Sequence, residues 1–205
     1  MNLVIFGATG GTGRHLVDQA LAIGHQVTVL VRTPASLPVT HARLRIVSGD
    51  VRDRETVMGV IAGQDAVLCA LGPNQHGPVS LCGDAVAMIL PAMASHHVQR
   101  LIALSAYGAA DSHNHDLYNR MLWLMQKEKM VDKERMEALI RQSDVDWTIL
   151  RPAALSNGPR TGRYHLGTDL RIRLASHISR ADLADGMVRQ IADATYSCRA
   201  PAITN

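Results

Sequence analysis

The feature that most constrains the fold is a cluster of glycines between the first apolar run and the first helical run. The stretch "NLVIFGATGGTGRHL", which begins at Asn2, places Gly7, Gly10 and Gly13 in the spacing G-x-x-G-x-x-G. Glycine loses more backbone entropy on folding than any other residue, so such a cluster suits a tight turn or a close approach of the backbone. The turn after the first strand of a parallel α/β sheet is a place of this kind.

Short apolar runs, typical of buried strands, alternate with helical patterns along the whole chain. The predicted strands are 2–7, 25–32, 44–50, 65–72, 100–106 and 146–152. The predicted helices are 14–24, 52–63, 83–97, 117–143 and 180–193. Continuous apolar strands that alternate with helices indicate a parallel sheet covered on both faces. We therefore predict one doubly wound α/β domain of the Rossmann type over residues 1–205, with a mostly parallel sheet.

Composition favours a single domain that binds a small anion. The 205 residues carry a net charge of +3, which is too mild and too scattered to indicate nucleic-acid binding. No apolar run reaches the roughly 18 residues of a membrane span. The cysteines, Cys69, Cys82 and Cys198, lack metal or disulfide spacing, and the ten histidines form no tight ligand array. We expect a cytoplasmic protein without a metal, either a monomer or a small homo-oligomer.

The glycines have separate roles if the turn binds a dinucleotide. Gly7 would make the tight turn, Gly10 would let the backbone approach a pyrophosphate, and Gly13 would let helix and strand pack closely. The phosphates would accept hydrogen bonds from free N–H groups at the helix N-terminus. The alternative is a glycine-rich turn that binds nothing. The predicted cofactor-binding residues of this turn are Gly7, Thr9, Gly10, Gly11, Thr12 and Gly13.

The end of the second strand predicts which dinucleotide binds. Chains that bind NAD usually carry Asp or Glu there to hold the ribose hydroxyls. Here the strand ends in "TVLVRT", and Arg32 occupies the position. A guanidinium pairs bidentately with a 2′-phosphate, which an acid would repel. We therefore expect NADP(H) rather than NAD(H), the alternative being that Arg32 is a solvated surface residue.

Several motifs together make the chain similar to a known family. They are "IFGATGGTG" (5–13), "VTVLVR" (27–32), "GDV" (49–51), "AGQDAVLCALG" (62–72), "LSA" (104–106), "TILRPA" (148–153) and "ISRADLADGM" (178–187). With these motifs the chain resembles, over nearly its full length, the atypical short-chain dehydrogenases/reductases, the NmrA-like and NAD(P)H-binding proteins. Within that group it looks most like the biliverdin reductase B/flavin reductase type.

The resemblance implies where the rest of the cofactor would lie, at carboxyl ends of strands, where open parallel sheets bind ligands. The implied adenine contacts are Asp50 and Val51. The implied contacts on the path to the nicotinamide ribose are Ala70, Leu71 and Gly72. The implied nicotinamide contacts are Ser105, Ala106, Pro152, Ala153 and Ala154.

The sequence departs from the wider superfamily at its catalytic positions. The usual set is a serine, a tyrosine and a lysine four residues after the tyrosine. Ser105 is followed by Tyr118, but "YNRML" puts Leu122 at the lysine position. Without that cation nothing obvious lowers the tyrosine pKa from about 10, so Tyr118 is not expected to be a general acid. The expected catalytic residues are Ser105 and Lys133. Ser105 would orient the carboxamide, since no neighbouring base is evident, the alternative being that it relays a proton. Lys133 would hold a ribose hydroxyl unless it is a solvated lysine.

Polar segments after strand ends are expected to wall an acceptor pocket, at 72–80, 106–116 and 155–167. The last contains Arg160, Arg163 and Tyr164, a combination that suits a planar, anionic acceptor, or else forms a basic surface loop. Related reductases carry a histidine where this chain has Ala154, which leaves the acceptor's identity open.

Two functions follow from these residues. One is an NADPH-dependent reductase that transfers hydride to a flavin, a tetrapyrrole or a quinone-like molecule, a reaction in which the cofactor carries the chemistry. The other is an NmrA-like regulatory protein that binds the dinucleotide without turnover, as an intact glycine turn beside an incomplete catalytic set also predicts.

Overall fold

A mostly parallel sheet runs through the protein, and the computed structural model describes residues 1–72 and 79–205. The strands are β1 Asn2–Phe6, β2 Gln26–Val31, β3 Leu44–Ser48, β4 Ala66–Cys69, β5 Arg100–Leu104, β6 Asp146–Pro152, β7 Ala154–Ser156, β8 His165–Gly167, β9 His177–Ser179 and β10 Ala202–Thr204. The helices are α1 Gly11–Ala22, α2 Arg54–Ile61, α3 Leu81–Ser95, α4 Leu117–Arg141 and α5 Arg180–Arg189. Short 3-10 helices lie at Pro34–Ser36, Ala110–Ser112 and Ala194–Tyr196.

The strand order is that of a doubly wound fold. Within the described residues the main sheet has eight strands in the order β3-β2-β1-β4-β5-β6-β10-β8. The pairs from β3 to β10 are parallel, and β8 pairs with β10 in the antiparallel direction. β7 and β9 form a separate parallel pair. This arrangement confirms the predicted α/β domain.

Helices cover both faces of the sheet because the central strands are apolar on both sides. In β1, Leu3 and Ile5 belong to the core under α1 and α5, whereas Val4 and Phe6 belong to the core under α2, α3 and α4. All four side chains are buried, and each contributes about 1.5–3 kcal/mol of burial free energy. Such strands form continuous apolar runs, which is why the sequence pattern located them.

The sequence pattern does not predict the short strands β7, β8, β9 and β10. Each has only three residues, too few for an alternation of apolar and polar residues to stand out. α1 begins at Gly11, earlier than the predicted start at residue 14, because the glycine turn itself forms the first turn of the helix.

α4 is the longest helix, and it is interrupted once. Gln126 has φ −138° and ψ 30°, which is outside the helical region. The residues before it form a separate helical segment that lies over the carboxyl ends of the strands. No helix in the described part of the chain is long and apolar enough to cross a membrane.

The sheet creates a crevice where the strand order reverses. β1 lies between β2 and β4, so the connections that leave β1 and β4 turn to opposite sides. Gly7 follows β1 and Ala70 follows β4, and the Ala70 N–H donates to the Phe6 carbonyl at 2.9 Å. Ligands of open α/β sheets bind at this point.

Candidate functional site

Two connected cavities form one cleft along the carboxyl ends of the strands. The smaller, of about 290 Å³, lies between β1, β2 and β3, and the larger, of about 780 Å³, extends from α1 to α4. They share Gly10, Ala70, Leu71 and Gly72. The cleft is therefore long enough to hold an extended ligand in two compartments.

The three spaced glycines of the turn, Gly7, Gly10 and Gly13, differ in the contacts that a side chain would make at each position. Gly7 has φ +84°, and a Cβ there would lie 2.7 Å from the Ala70 carbonyl oxygen. A Cβ at Gly13 would overlap the Gly7 carbonyl oxygen, so both glycines are needed by the packing of the protein itself. At Gly10, φ is −71° and ψ 166°, and the nearest atom to a Cβ is the Gly7 oxygen at 3.3 Å. Any L-residue adopts that backbone conformation, so the missing side chain at Gly10 mainly leaves space in the cleft.

The first turn of α1 offers N–H groups to an anion. Gly10 is the N-cap, and within the described residues no side chain caps the helix. The first intrahelical bond joins the Arg14 N–H to the Gly10 carbonyl at 3.0 Å, so the amides of Gly11, Thr12 and Gly13 precede it. Uncapped amides and the helix dipole together favour a phosphate at this position.

Arg180 lies over the same turn. A Cβ at Gly11 would be 2.6 Å from its Cδ and 2.8 Å from its Nε, so the guanidinium stem crosses the helix at Gly11. The Nη1 donates to Asn157 Oδ1 at 2.6 Å, and the side chain lines the larger cavity. The first residue of α5 thus adds a cation to the expected pyrophosphate site. Sequence reasoning missed it because β9 and α5 return to α1 only in the folded chain.

The smaller cavity carries two guanidinium groups and one carboxylate. Arg32, Asp50, Val51 and Arg52 all line it. Arg52 Nε and Nη2 donate to the two oxygens of Asp50 at 3.0 and 2.9 Å. These bonds, the Arg52 N–H and the nearby charge of Arg32 lower the pKa of Asp50 to about 2. Two cations and one anion leave an excess positive charge in the smaller cavity.

Lys133 is buried at the centre of the cleft. Its side chain reaches the ends of β4 and β5, where Nζ donates to the Leu71 carbonyl at 2.9 Å and to the Leu104 carbonyl at 2.6 Å. It is 7% exposed, so it is not a solvated lysine. An ammonium group has three donors, so one N–H is left to face the cleft that Lys133 lines.

Ser105 has a carboxylate neighbour that the sequence pattern does not reveal. Its Oγ donates to Glu137 Oε1 at 2.6 Å, and both residues are buried. The expectation that no base lies near Ser105 is therefore wrong. Glu137 belongs to α4, one helical turn after Lys133, and the packing of α4 on β5 brings it to Ser105.

Tyr118 lines the larger cavity without a cation that would favour its ionised form. Burial raises the pKa of its phenol, and Tyr107 and Asp116 raise it further. Leu122, at the position of the usual lysine, lines the same cavity. The geometry supports the expectation that Tyr118 is a weak acid.

The larger cavity is lined mostly by apolar side chains, with the polar Gln126 and Lys129 among them. Its wall is formed by Tyr118, Met121, Leu122, Met125, Met130, Leu155 and Leu174. Among these, Met125 is 75% exposed and Leu174 53%, so the mouth of the cleft presents apolar surface to solvent. Methionine side chains are flexible and polarizable, and they adapt to flat aromatic ligands.

A model of the NAD(P)H-binding family matches residues 7–194. The chain belongs to the NAD(P)H-binding family. Membership of this family supports a nicotinamide dinucleotide as the cofactor, and the space at Gly10 and the uncapped amides of α1 fit that group.

Individual proteins are similar to this chain over most of its length. The chain is 30% identical over 207 residues to the uncharacterized protein YwnB of Bacillus subtilis, covering 93% of this chain and 92% of YwnB. It is 26% identical over 169 residues to the uncharacterized chloroplastic protein At2g34460 of Arabidopsis thaliana, covering 77% of this chain but only 60% of that protein. The structure of ChuY, an anaerobillin reductase of Escherichia coli, matches with a TM-score of 0.83 at 20% identity, over 99% of this chain and 96% of ChuY.

Most of the residues expected at the family's cofactor site line this one cleft. Gly7, Thr9, Gly10, Arg32, Asp50 and Val51 line the smaller cavity, with Ala70, Leu71 and Gly72 shared. Gly11, Thr12, Ser105, Ala106, Lys133, Pro152, Ala153 and Ala154 line the larger one. Gly13 packs behind the turn and does not line either cavity.

The expected acceptor residues of the 155–167 segment lie elsewhere. Arg160 and Tyr164 both bond to the buried carboxylate of Asp185 on α5, the latter through its hydroxyl at 2.8 Å. Arg163 lines a separate cavity beside Asp182. Asp182 and Asp185 are buried acids that need partners, and they hold residues 160–164 against α5. The structure therefore does not bring these three side chains to the cleft, although Leu155, at the start of the segment, lines it.

The other two expected loops contribute unequally. From 106–116, Ala106 lines the cleft, whereas Asp111 and Asn114 line a different cavity. From 72–80, Gly72 lines the cleft, and residues 73–78 lie outside the described residues. Across residues 1–72 and 79–205 there is no group of three or more His, Cys, Asp or Glu side chains placed to hold a metal ion.

Proposed function

We propose that the protein is an NADPH-dependent reductase that passes hydride to a planar conjugated acceptor such as a flavin, a linear tetrapyrrole or a quinone. The observation that carries the proposal is the continuity of the cleft. It joins the uncapped N-terminus of α1 to a mostly apolar, methionine-lined compartment that Ser105 and Lys133 also line. The similarity in fold to ChuY, named as an anaerobillin reductase, supports the same class of acceptor.

Each group of the cleft then has a task. Arg32 and Arg52 would hold the 2′-phosphate, and the α1 amides with Arg180 would hold the pyrophosphate. Lys133 would donate its third N–H to a ribose hydroxyl. The bound nicotinamide supplies the hydride. Met121 and Met125 would press the acceptor against the nicotinamide face and exclude water.

The residues present suit an acceptor that takes its proton from water. Tyr118 has a raised pKa and Leu122 stands beside it, so the described cleft offers no activated tyrosine. A flavin accepts hydride at a ring nitrogen and needs no strong protein acid. The lack of an activated tyrosine in the described cleft also fits an NmrA-like protein that binds the dinucleotide without turnover. A measurement of activity distinguishes the two functions.

The experiment is to follow NADPH oxidation by the purified protein with flavin mononucleotide, menadione or biliverdin as acceptor. We expect acceptor-dependent oxidation with at least one of them. Tight binding of NADPH would favour the regulatory function instead if NADPH were oxidised no faster than in a mixture of NADPH and acceptor without the protein.

Cofactor preference tests the role of Arg32. We expect NADPH to bind at least about tenfold more tightly than NADH, which corresponds to one charged contact of about 1.4 kcal/mol. Arg32→Asp should reverse or abolish that preference. Arg45→Asp, an exposed arginine of β3 outside both cavities, serves as the control for net charge. Equal affinity of the wild-type protein for the two dinucleotides in a calorimetric titration would contradict the assignment.

Arg180 should matter for both dinucleotides, because both contain the pyrophosphate. Replacing it by methionine keeps the stem over Gly11 and removes the charge, so we expect about tenfold weaker binding of NADPH and NADH alike. Arg45→Met is the matched control. A loss confined to one dinucleotide would place Arg180 at the ribose rather than at the pyrophosphate.

Tyr118→Phe tests the weak-acid interpretation. We expect turnover of a flavin acceptor to stay within a few-fold of the wild-type value, whereas loss of a true general acid costs about a hundredfold or more. Steady-state kcat with flavin mononucleotide decides between the two, and a hundredfold loss would make Tyr118 catalytic.

A further inference from the structure

A buried ion pair stands directly behind Ser105. Glu137 is fully buried, and it accepts the Ser105 hydroxyl hydrogen at Oε1. Ser105 lines the cleft, whereas Glu137 lines neither of the cleft's two cavities. Glu137 therefore acts on a ligand only through the serine.

Arg151 fixes the orientation of the Glu137 carboxylate. Its Nε donates to Oε1 at 3.0 Å and its Nη2 to Oε2 at 2.5 Å, which is a forked guanidinium–carboxylate pair. Arg151 also pairs with Asp111, and Arg141 bonds to Asp111 at 2.7 Å. Two guanidiniums balance two carboxylates in this cluster, so Glu137 has a full complement of donors.

The pair determines which way the Ser105 hydroxyl points. A hydroxyl group has one hydrogen and two acceptor lone pairs, and a carboxylate can only accept. Glu137 therefore takes the hydrogen, and the lone pairs of Oγ face the cleft. Because a buried ion pair adds little net stability compared with apolar residues of the same volume, its orienting effect gives it a specific use here.

We propose that Glu137 is a positioning residue that makes Ser105 a hydrogen-bond acceptor for the carboxamide N–H₂ of the nicotinamide. The inference rests on the proposed function, and it adds the direction of one hydrogen bond between Ser105 and the cofactor. Ser105 would favour a substituent of the nicotinamide ring that donates a hydrogen bond. The hydroxyl hydrogen of Ser105 is bonded to Glu137, so it is not available to protonate the hydride acceptor. This answers the choice between orientation and proton relay in favour of orientation.

The test compares two cofactors that differ at the carboxamide. NADPH carries the amide, and its 3-acetylpyridine analogue carries a methyl ketone, which accepts hydrogen bonds but cannot donate them. For the wild-type protein we expect NADPH to bind about tenfold more tightly than the reduced analogue, as one hydrogen bond predicts. Binding of 2′,5′-ADP, which lacks the nicotinamide half, reports that the rest of the site is intact.

Glu137→Leu should reduce that tenfold preference to about one or reverse it. Leucine has no oxygen to accept the Ser105 hydrogen, and Arg151 keeps Asp111 as its partner. The serine would then be able to point its hydrogen into the cleft. Affinity for 2′,5′-ADP should stay within two-fold. Ser105→Ala should also remove the preference, and combining it with Glu137→Leu should add nothing.

A second variant covers the case in which Glu137→Leu alone does not fold, because it would leave Arg151 buried with one partner fewer. The double replacement Glu137→Leu with Arg151→Met removes both buried charges together, leaves Asp111 paired with Arg141, and frees the Ser105 hydrogen. A folded variant of either kind that keeps the wild-type preference for NADPH overturns the inference, as does a wild-type protein that binds the two dinucleotides equally. If neither NADPH nor 2′,5′-ADP binds the wild-type protein, the proposed function fails rather than the role of Glu137.

Discussion

Replacing Gly10 by valine is expected to weaken NADPH binding at least a hundredfold while the protein remains folded. The backbone of Gly10 lies in the extended region, which valine prefers. Within the described residues, and apart from its chain neighbours, a Cβ there would have one atom within 4 Å, the Gly7 oxygen at 3.3 Å. The added side chain would instead occupy the cleft where the backbone should meet the pyrophosphate. Isothermal titration with NADPH measures the loss, and circular dichroism measures the fold.

Two other glycines provide controls for this variant. A Cβ at Gly59, in α2, has no atom within 4 Å, so Gly59→Val should leave both binding and stability nearly unchanged. A Cβ at Gly13 would overlap the Gly7 oxygen, so Gly13→Val should destabilise the protein itself. A folded Gly10→Val protein that binds NADPH normally would mean that the turn is only structural.

Replacing Lys133 by methionine should lower both stability and cofactor affinity. The Leu71 and Leu104 carbonyls would lose their lysine donor at the ends of β4 and β5. A buried polar group left without a partner costs about 1–3 kcal/mol, so we expect a loss of about 2–4 kcal/mol in the free energy of unfolding. NADPH should also bind roughly tenfold more weakly, because the ribose would lose one donor.

Lys127→Met is the matched control, since it makes the same replacement on the same helix at an exposed position. Surface substitutions of this kind usually change stability by less than about 0.5 kcal/mol. Urea unfolding of the three proteins gives the comparison. Equal stability of the Lys127 and Lys133 variants would show that the lysine bonds to the two strands contribute nothing.

The sequence was most informative where the chain makes the site from neighbouring residues. The glycine turn, Arg32 and Ser105 each stand at or just after the end of a strand, and strand ends of a parallel sheet meet at one edge. For these residues the local pattern predicts both the element and the edge. The close contact that requires a glycine at position 13 is also local, since it is made with the Gly7 oxygen, whereas the contact at Gly7 is made with Ala70 after β4.

The residues that the sequence did not reveal come from distant parts of the chain. Arg180 reaches α1 through the packing of α5 on α1, and Glu137 reaches Ser105 through the packing of α4. No spacing rule predicts those distances. Arg160 and Tyr164 show the opposite error, since their residue types suit an acceptor while Asp185 holds them away from the cleft.

Lys133 could have been distinguished from its neighbours by helical periodicity. Met130, Lys133, Met136 and Ile140 recur at intervals of three and four residues and are all buried, so the lysine lies on the apolar face of α4. Lys127 is exposed, although it lies in the same charged run. The position of a charged residue relative to the apolar positions of the helix therefore predicted its burial better than the number of charged residues around it did.

Transfer of a deuterium label tests the central claim most directly. NADPH that carries deuterium at the reactive carbon of its nicotinamide would be incubated with the protein and a linear tetrapyrrole, in which the label stays on carbon after reduction. We predict one deuterium in the reduced tetrapyrrole with the wild-type protein and none with Gly10→Val. A wild-type protein that binds the labelled cofactor but leaves the label on it, with the flavin and quinone acceptors also unreduced, would contradict the assignment as a reductase.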